Sequence, residues 1–310
     1  MNLKGKNFID LQDFTDEEIL FLIDYAQRLK DEHRSHACQR ELLDGRNLIL
    51  IFSKPSLRTR ASFEIGAMQL GMGTLTLKQD EINLGVRETV ADTARVVSRY
   101  TDCTMIRTFA HSDVTEFAKY SKTPVINGLT DDSHPCQIMA DLLTIKEHFG
   151  KLKGLKLAYV GDGNNVANTL LIGCAKVGMD VTIGCPEGYE PDAGYLNYAL
   201  ERAVANGSKA EIINCPKQAV VGADVIYTDV WASMGQEEEA QKRKEIFKKY
   251  QINLELLNSA NPDSIVLHCL PAHRGEEITH DVLEKHADII FEQAENRMHA
   301  QKAIMASIIN

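Results

Sequence analysis

The first recognisable element in the sequence is an amphipathic helix near the N-terminus. Thr15 and Glu18 have the three-residue spacing of a capping box, in which each side chain bonds the other residue's backbone N–H at a helix start. The apolar positions that follow at intervals of three and four are Ile19, Leu22, Ile23, Ala26 and Leu29. One face of a helix repeats with this period, so we predict a helix that buries these side chains.

Short apolar runs, each followed by a turn and a helical pattern, recur further along the chain. In the first of them, strand 47–53 leads through the turn 54–56 into a helix whose apolar face contains Phe63, Ala67 and Leu70. A second unit has its turn at 162–165 and its helix at 166–177. The predicted strands lie at 47–53, 155–161, 181–184, 223–229 and 264–269.

Strands that alternate with helices are typical of βαβ units, in which parallel strands form a sheet covered by helices on both faces. Because 310 residues correspond to roughly two domains, we predict an α/β fold with two domains, each a parallel β-sheet flanked by helices. The polar, Gly-bounded stretch 150–154 marks the boundary between domains 1–149 and 150–294. The last segment, 294–308, has a helical pattern and could pack on either domain.

The charge balance argues against one broad class of partner. The chain has 34 Lys and Arg against 44 Asp and Glu, a net charge of −10, whereas sequence-independent binding to nucleic acid or an anionic membrane needs a basic surface. The longest apolar run, 48–52, is far shorter than the roughly 20 residues that span a bilayer. Seven cysteines with no C-x-x-C pair, in a chain without a recognisable export signal, favour free thiols. We therefore expect a cytoplasmic protein with neither a nucleic-acid nor a membrane partner.

The strongest candidate site follows the first predicted strand, in the sequence Ser-Lys-Pro-Ser-Leu-Arg-Thr-Arg at 53–60. Ser56 and Thr59 supply hydroxyl groups at a helix start, and Arg58 and Arg60 supply positive charge. Together with the first N–H groups of the helix, they favour a bound phosphate. The glycines of a P-loop are absent. The alternative is a solvated turn with ordinary surface arginines.

A second candidate site is marked by acidic residues. The segment 229–239 contains Asp229, Glu237, Glu238 and Glu239 and has no Lys or Arg. It therefore suits a cationic amine as the ligand and disfavours an anionic amino acid such as aspartate. Taken alone, the acidic run 237–239 is more typical of a solvated helix start than of a ligand site.

The segments 53–60 and 229–239, and others along the chain, resemble motifs of the aspartate/ornithine carbamoyltransferase family. Residues 56–60 are similar to the family's S-T-R-T-R, with Leu57 in the place of the first Thr, and Arg107 follows the apolar pair 105–106. Residues 134–137 match H-P-x-Q, 229–235 match D-x-x-x-S-M-G, and 268–271 match H-C-L-P. The last two motifs are those of the members that use L-ornithine. The motifs occur in the family's order over essentially the whole chain.

The resemblance implies an activity, an oligomeric assembly and a substrate for each domain. It implies transfer of the carbamoyl group from carbamoyl phosphate to the side-chain amine of L-ornithine in arginine metabolism, giving L-citrulline and phosphate, with no metal and no organic cofactor. It implies a homotrimer or a multiple of trimers with sites near the subunit contacts. Residues 1–149 would bind carbamoyl phosphate, 150–294 would bind ornithine, and the C-terminal helix, about 295–310, would return to the first domain.

The resemblance also assigns residues to each substrate. The carbamoyl-phosphate site would comprise Ser56, Leu57, Arg58, Thr59, Arg107, His134, Pro135, Cys136, Gln137, Cys269, Leu270 and Arg297, completed by Asn83 from a neighbouring subunit's loop. The ornithine site would comprise Asn165, Asp229, Ser233 and Met234, with Cys269 beside the side-chain amine. The candidate catalytic residues are Arg107, His134, Gln137 and Cys269.

Other interpretations use the same features. A carbamoyltransferase for a diamine such as putrescine is the nearest, although the S-M-G motif with Asn164 and Asn165 favours an acceptor that has a carboxylate. A second is a non-catalytic phosphate-binding regulator. A nicotinamide-dependent dehydrogenase would use the turn 161–165, but Val166 stands where the dinucleotide motif has its third glycine. The His and Cys residues within 33–38 lack a second cluster to complete a metal site, and we interpret this stretch as exposed surface.

Overall fold

The computed structural model describes residues 1–232 and 239–309. Over these residues it contains nine β-strands and thirteen α-helices, with short 3-10 turns between some of them. The chain divides into two compact units, one formed by residues 1–143 together with 295–310 and the other by residues 144–294. Each unit has its own parallel sheet flanked by helices, which confirms the predicted α/β class.

The first unit has a four-stranded parallel sheet with the strand order β2-β1-β3-β4. Its strands are β1 (Asn47–Phe52), β2 (Gly73–Lys78), β3 (Cys103–Arg107) and β4 (Val125–Leu129). The neighbouring strands β1 and β3 are almost entirely buried, whereas β2 at the edge is largely exposed. Phe52 of β1 is level with Arg107 of β3, so the two strands end side by side and the residues after them emerge at the same edge of the sheet.

The first helix begins as the capping-box pattern predicts. It is α1 (Asp16–Arg34), and its predicted apolar positions are all buried. The Glu18 N–H donates to Thr15 Oγ1 at 3.2 Å, and the Thr15 N–H donates to Glu18 Oε2 at 2.9 Å. The helices that follow are α2 (Leu57–Gln69), α3 (Gln79–Ile82), α4 (Val90–Val97), α5 (His111–Tyr120) and α6 (Pro135–Phe149).

The second unit has a five-stranded parallel sheet with the strand order β7-β6-β5-β8-β9. Its strands are β5 (Lys156–Val160), β6 (Asp180–Gly184), β7 (Ala210–Ile213), β8 (Val225–Thr228) and β9 (Ile265–His268). Its helices are α7 (Asn165–Val177), α8 (Ala193–Asn206), α9 (Pro216–Ala219), α10 (Ala240–Phe247), α11 (Leu254–Leu257) and α12 (His280–Lys285). Among the described helices of the chain, none combines the length and the hydrophobicity needed to cross a bilayer.

The C-terminal helix, α13 (Ala287–Ile309), begins earlier than the sequence pattern indicates. From residue 295 onward it belongs to the first unit, which confirms that the C-terminal helix packs on the first domain. Asn296 Oδ1 accepts a hydrogen bond of 2.6 Å from Lys30 Nζ of α1, and Lys302 Nζ donates at 2.8 Å to Gln69 Oε1 of α2. These contacts fix the helix, and with it Arg297, against the N-terminal helices.

Candidate active site

Each sheet has a topological switch point, at which the chain stops adding strands on one side and continues on the other. In the first unit this point lies between β1 and β3, and in the second it lies between β5 and β8. Open parallel sheets bind ligands at the carboxyl ends of the strands at such points. Ser56, Arg58 and Arg107 follow or end the first pair of strands, and Asn165 and Asp229 follow the second pair.

The turn after β1 leads into α2 as the sequence predicts. Ser56 is the N-cap of this helix, and its Oγ accepts a hydrogen bond of 3.2 Å from the Thr59 N–H. Arg58 is half-buried, whereas Leu57 is 79% exposed. Leu57 therefore presents its backbone rather than its side chain at the helix N-terminus, where free N–H groups and the helix dipole attract anions.

Two of the predicted arginines meet at a single hydroxyl group. Thr59 is buried, and its Oγ1 accepts hydrogen bonds from Arg297 Nη2 at 3.0 Å and from Arg107 Nη1 at 3.4 Å. Arg60 differs, since it is exposed and forms an ion pair of 2.9 Å with Glu64 on the same helix. We call the start of α2, with Ser56, Arg58 and Thr59, the phosphate cradle. The positive charge at its base comes from Arg107 and Arg297, while the charge of Arg60 is compensated on the helix surface.

His134 lies in the loop between β4 and α6 and is 4% exposed. Burial holds the pKa of its imidazole well below the usual value, and the positive charges of Arg297, Arg107 and Arg58 lower this pKa further. The imidazole is therefore neutral at neutral pH, with one ring nitrogen protonated. In this form it is a hydrogen-bond donor to developing negative charge.

Gln137 lies in the first turn of α6 and is buried. Its Nε2 donates at 2.8 Å to Asp141 Oδ1, and this contact orients the amide because an ionised carboxylate can only accept. Its Oε1 is buried and has no hydrogen-bond partner among the described residues. A buried acceptor of this kind fits a ligand that brings an N–H donor.

The remaining predicted residues of the first unit differ in exposure. Pro135 is buried as the first residue of α6, a position that needs no backbone N–H. Cys136 donates to the Asn127 carbonyl at 3.4 Å, and burial raises the pKa of its thiol to about 12, so it is a packing group and not a nucleophile. Asn83 follows α3 in an exposed loop, with a left-handed φ of 45°.

In the second unit, a buried carboxylate joins the turn after β5 to the loop after β9. Asp229 directly follows β8 and is buried. Its Oδ2 accepts a hydrogen bond of 2.8 Å from Asn164 Nδ2, and its Oδ1 accepts one of 2.9 Å from Cys269 Sγ. The Cys269 thiol is therefore a hydrogen-bond donor to a carboxylate in this arrangement.

Two adjacent asparagines follow β5, and they do different things. Asn164 caps α7, since its Oδ1 accepts from the Val166 N–H at 3.0 Å and the Ala167 N–H at 3.2 Å. Its amide nitrogen is thereby aimed at Asp229, a role that the sequence analysis missed although an Asn before a helical pattern is a recognised cap signal. Asn165 is half-buried at the first position of α7. Ser233 and Met234 lie outside the described residues.

His268 holds the backbone of the loop that carries Cys269 and Leu270. Its Nδ1 accepts a hydrogen bond of 2.8 Å from the Leu270 N–H, so its proton is on Nε2, which donates at 3.0 Å to Glu277 Oε1. Gln293 Oε1 accepts from the His268 N–H at 3.0 Å. Leu270 has a left-handed φ of 56° and precedes a cis peptide bond to Pro271. Glu277 is not among the predicted site residues, because no local motif gives a signal for it.

The same region contains groups that commonly bind metals. Asp229, His268 and Cys269 place ligand atoms within 4.8 Å of one another. Carboxylate, imidazole and thiolate are ligands that zinc prefers. Here the thiol donates to Asp229, and both ring nitrogens of His268 are engaged by Leu270 and Glu277. Metal binding would replace these hydrogen bonds, and the absence of a metal cofactor stays a prediction.

Two family models match the chain, one over each half. Residues 6–147 match the carbamoyl-phosphate-binding domain of aspartate/ornithine carbamoyltransferases, and residues 153–308 match the aspartate/ornithine-binding domain. The chain therefore belongs to the aspartate/ornithine carbamoyltransferase family.

Within this family, the chain is similar over its whole length to several ornithine carbamoyltransferases. The ornithine carbamoyltransferase of Thermococcus kodakarensis is 51% identical over 309 residues, covering 100% of this chain and 98% of the relative. That of Geobacillus stearothermophilus is 52% identical, covering 100% of this chain and 99% of the relative. The solved structure of the ornithine carbamoyltransferase from Pyrococcus furiosus superposes with a TM-score of 0.96 at 49% identity, covering 100% of this chain and 98% of that one.

Proposed function

We propose that the protein transfers the carbamoyl group from carbamoyl phosphate to the side-chain amine of L-ornithine, giving L-citrulline and phosphate, as a step of arginine metabolism. The observation that carries this proposal is the neutral His134 among three guanidinium groups, beside a helix N-terminus that suits phosphate. The full-length similarity to ornithine carbamoyltransferases supports the choice of acceptor.

The phosphate half of the reaction needs positive charge that stays in place as the leaving group departs. Arg58, with the hydroxyls of Ser56 and Thr59 and the N–H groups at the start of α2, holds the phosphate. Arg107 and Arg297 are anchored on Thr59 and lie behind it. Negative charge grows on the phosphate as the C–O bond breaks, and these fixed donors stabilise it without rearrangement.

The carbamoyl group needs hydrogen-bond donors for its carbonyl oxygen and hydrogen-bond acceptors for its NH2 group. Arg107 and neutral His134 donate to the carbonyl oxygen, where charge develops when the amine attacks. Removing a single donor of this type typically costs about 3 kcal/mol of transition-state stabilisation. In this proposal Gln137 Oε1, which has no hydrogen-bond partner in the described part of the chain, and the carbonyl of Leu270 accept from the carbamoyl NH2 and orient it.

The ornithine site must bind a zwitterionic amino acid, and the side-chain amine of this amino acid must be deprotonated there. Asp229 pairs with the α-ammonium group, while Asn165, Ser233 and Met234 hold the α-amino-acid end. An alkylamine with a pKa of about 10.4 is only about 0.1% neutral near pH 7.4, so the attacking amine must lose a proton. Cys269 lies beside this amine in the proposal, and the amine proton passes to its sulfur as the thiol proton passes to the Asp229 carboxylate.

The assembly and the division of the chain are parts of the same proposal. Residues 1–149 with the C-terminal segment 295–310 form the carbamoyl-phosphate-binding domain, and residues 150–294 form the ornithine-binding domain. The protein works in the cytoplasm as a homotrimer or a multiple of trimers. The exposed loop that carries Asn83 supports this assembly, because a side chain there is accessible to the site of a neighbouring subunit.

A substrate comparison tests the proposed reaction. The purified protein is given carbamoyl phosphate with ornithine, putrescine or aspartate in turn, and the release of phosphate and the carbamoylated product are measured. We expect citrulline and stoichiometric phosphate with ornithine, and little phosphate with the other two. Preferential use of putrescine would favour the diamine enzyme, and the absence of citrulline with ornithine would overturn the proposal.

A further inference from the structure

One buried charge next to the phosphate cradle has no part in the proposed reaction steps. Lys54 lies in the turn between β1 and α2, two residues before Ser56, and its side chain is 4% exposed. An ammonium group with so little contact with water depends on protein groups for its stabilisation. The identity of those groups decides what Lys54 does.

The groups around Lys54 come from two other loops at the same edge of the sheet. Its Nζ forms an ion pair with Asp131, which lies in the loop between β4 and α6. The same Nζ lies 4.0 Å from the centre of the Phe109 ring, which follows β3. One ammonium group therefore joins the ends of β1, β3 and β4.

The backbone of these loops is also connected. The Asp131 N–H donates to the Phe109 carbonyl at 2.8 Å, and the Ser53 N–H donates to the Arg107 carbonyl at 2.8 Å. These bonds make pairwise connections, β3 to β4 and β1 to β3. Lys54 adds the direct connection between the loops after β1 and β4.

Each joined loop carries part of the carbamoyl-phosphate site. The β1 loop continues into Ser56 and Arg58, β3 ends at Arg107, and the β4 loop continues from Asp131 to His134. A change in the spacing of these loops moves the phosphate donors relative to the carbonyl donors. Misplacement of reacting groups by about 1 Å can cost a hundred-fold in rate.

We propose that Lys54 is a positioning residue for the proposed carbamoyl transfer. Its ammonium group, held between Asp131 and Phe109, sets the distance between the phosphate cradle and His134. The Asp131 carboxylate and the aromatic ring together compensate its charge. Lys54 therefore acts through the loops it joins and not as a ligand of the phosphate.

The test compares Lys54→Met, Lys54→Arg and Asp131→Asn with a matched control, Lys6→Met. Lys6 has the same kinds of partner in the same unit, an ion pair of 2.8 Å with Glu18 and the Phe14 ring at 4.7 Å, but joins none of these loops. The measurements are kcat, the KM for each substrate, the Ki of inorganic phosphate, and the melting temperature of each variant.

We expect Lys54→Met and Asp131→Asn each to raise the KM for carbamoyl phosphate about ten-fold or more and to lower kcat. The Ki of inorganic phosphate should rise in parallel, while the KM for ornithine at saturating carbamoyl phosphate changes less than about two-fold. Lys54→Arg should recover part of the loss, and Lys6→Met should match the wild type. The double variant should be no worse than Lys54→Met, because both changes break one contact.

Unchanged kinetics in Lys54→Met would overturn the proposal. A large effect in Lys54→Met without one in Asp131→Asn would also overturn it, because Lys54 would then bind the phosphate directly. If Lys54→Met fails to fold, Lys54→Arg and Asp131→Asn decide the question. If the wild type forms no citrulline, the proposed reaction is wrong, and the calorimetric affinity for inorganic phosphate still tests the role of Lys54.

Discussion

At the scale of single residues, the environment of His134 decides its chemistry. The imidazole is buried among Arg58, Arg107 and Arg297, and both the burial and the three positive charges lower its pKa well below the usual value. A protonated imidazole would add a fourth positive charge to this cluster. The neutral form keeps a single N–H donor and has no titration near neutral pH that would switch the site off.

Replacing His134 should therefore lower the rate without changing its pH dependence. We expect His134→Asn to lower kcat about a hundred-fold or more, the usual effect of removing one oxyanion donor. Because the pKa of His134 lies well below 6.5, protonation of His134 does not contribute between pH 6 and 9. The rate should rise with pH in both proteins as the amine of ornithine loses its proton. Measurement of kcat/KM over this range checks both statements.

The matched control for His134 is His148→Asn, since His148 lies in the same helix, α6, but is exposed. This variant should keep the rate of the wild type. An inflection near pH 6.5 in the wild type that is lost in His134→Asn would contradict the assignment of a neutral imidazole.

At the scale of elements, helix α13 has an unusually polar buried face for a helix that is packed into a domain. His299 and Lys302 are fully buried, and burial is the main cause that lowers the pKa of Lys302 to about 8 and that of His299 to about 3. Lys302 keeps its position through the hydrogen bond to Gln69 of α2. At pH values where Lys302 is protonated, burial of its charge lowers the free energy of unfolding. The contacts of this face also fix the part of the helix that carries Arg297.

The stability of the protein should therefore depend on pH through Lys302. The unfolded chain holds the Lys302 proton up to about pH 10.5, whereas the folded chain releases it near pH 8. Between these values the unfolded state binds more protons, so raising the pH stabilises the fold. Relative to Lys302→Met, the free energy of unfolding of the wild type should rise by up to about 1.4 kcal/mol per pH unit from pH 8 to 10.

Denaturant titrations at several pH values, with the exposed Lys151→Met as the control, measure this difference. The wild type and Lys151→Met should show parallel curves. A difference between the wild type and Lys302→Met that stays constant from pH 8 to 10 would show that the Lys302 ammonium is not destabilised by burial.

The elements that the sequence predicted and those that it missed differ in their patterns. The five predicted strands are β1, β5, β6, β8 and β9, and each is a buried, mainly apolar run. Strands β2 and β7 were missed because both are edge strands that are mostly exposed or half-buried, so neither forms a continuous buried apolar run. Strands β3 and β4 were missed because Thr104, Arg107 and Asn127 interrupt their apolar pattern, although all three residues are buried in the folded protein.

At the scale of the whole molecule, the net charge of −10 conceals two opposite local fields. The first unit concentrates Arg58, Arg107 and Arg297 around one small site. The second unit places the buried Asp229 at its own switch point. A few charges of one sign are enough at such sites, because the low local dielectric strengthens each interaction.

The proposed trimer predicts that two inactive variants restore activity when mixed. Arg58→Ala disrupts the phosphate cradle of the chain that carries it. Asn83→Ala, in the other variant, removes the residue that a chain would contribute to the site of a neighbouring subunit. Mixed trimers should contain some sites with both residues intact. Dissociating and reassembling the two variants together should therefore recover part of the wild-type citrulline formation.

Mixing Arg58→Ala with His134→Asn is the control, because one chain supplies both residues and no mixed site contains an intact pair unless the chains exchange whole domains. No recovery is expected there. Equal recovery, or none, in both mixtures would show that Asn83 does not complete a neighbouring site. Light scattering, which distinguishes a trimer of 34.6 kDa chains from a monomer, accompanies the assay.

The sequence by itself determined which strand ends carry candidate functional residues. A buried apolar run followed by a turn and a helix cap favours one local structure, and the motifs at 56–60 and 268–271 lie at or just beyond the carboxyl ends of predicted strands. These signals are local, because capping and burial depend on neighbouring residues.

Only the tertiary structure decided which residues act together and in what state. Thr59 and Arg297 are 238 positions apart yet share a hydrogen bond, and Asn164 and Asp229 are 65 apart. The neutral His134, the loop junction at Lys54 and the contact of His268 with Glu277 likewise depend on partners brought together by folding. A side chain's charge and orientation depend on the groups within a few ångströms in space, and no local pattern in the chain specifies those groups.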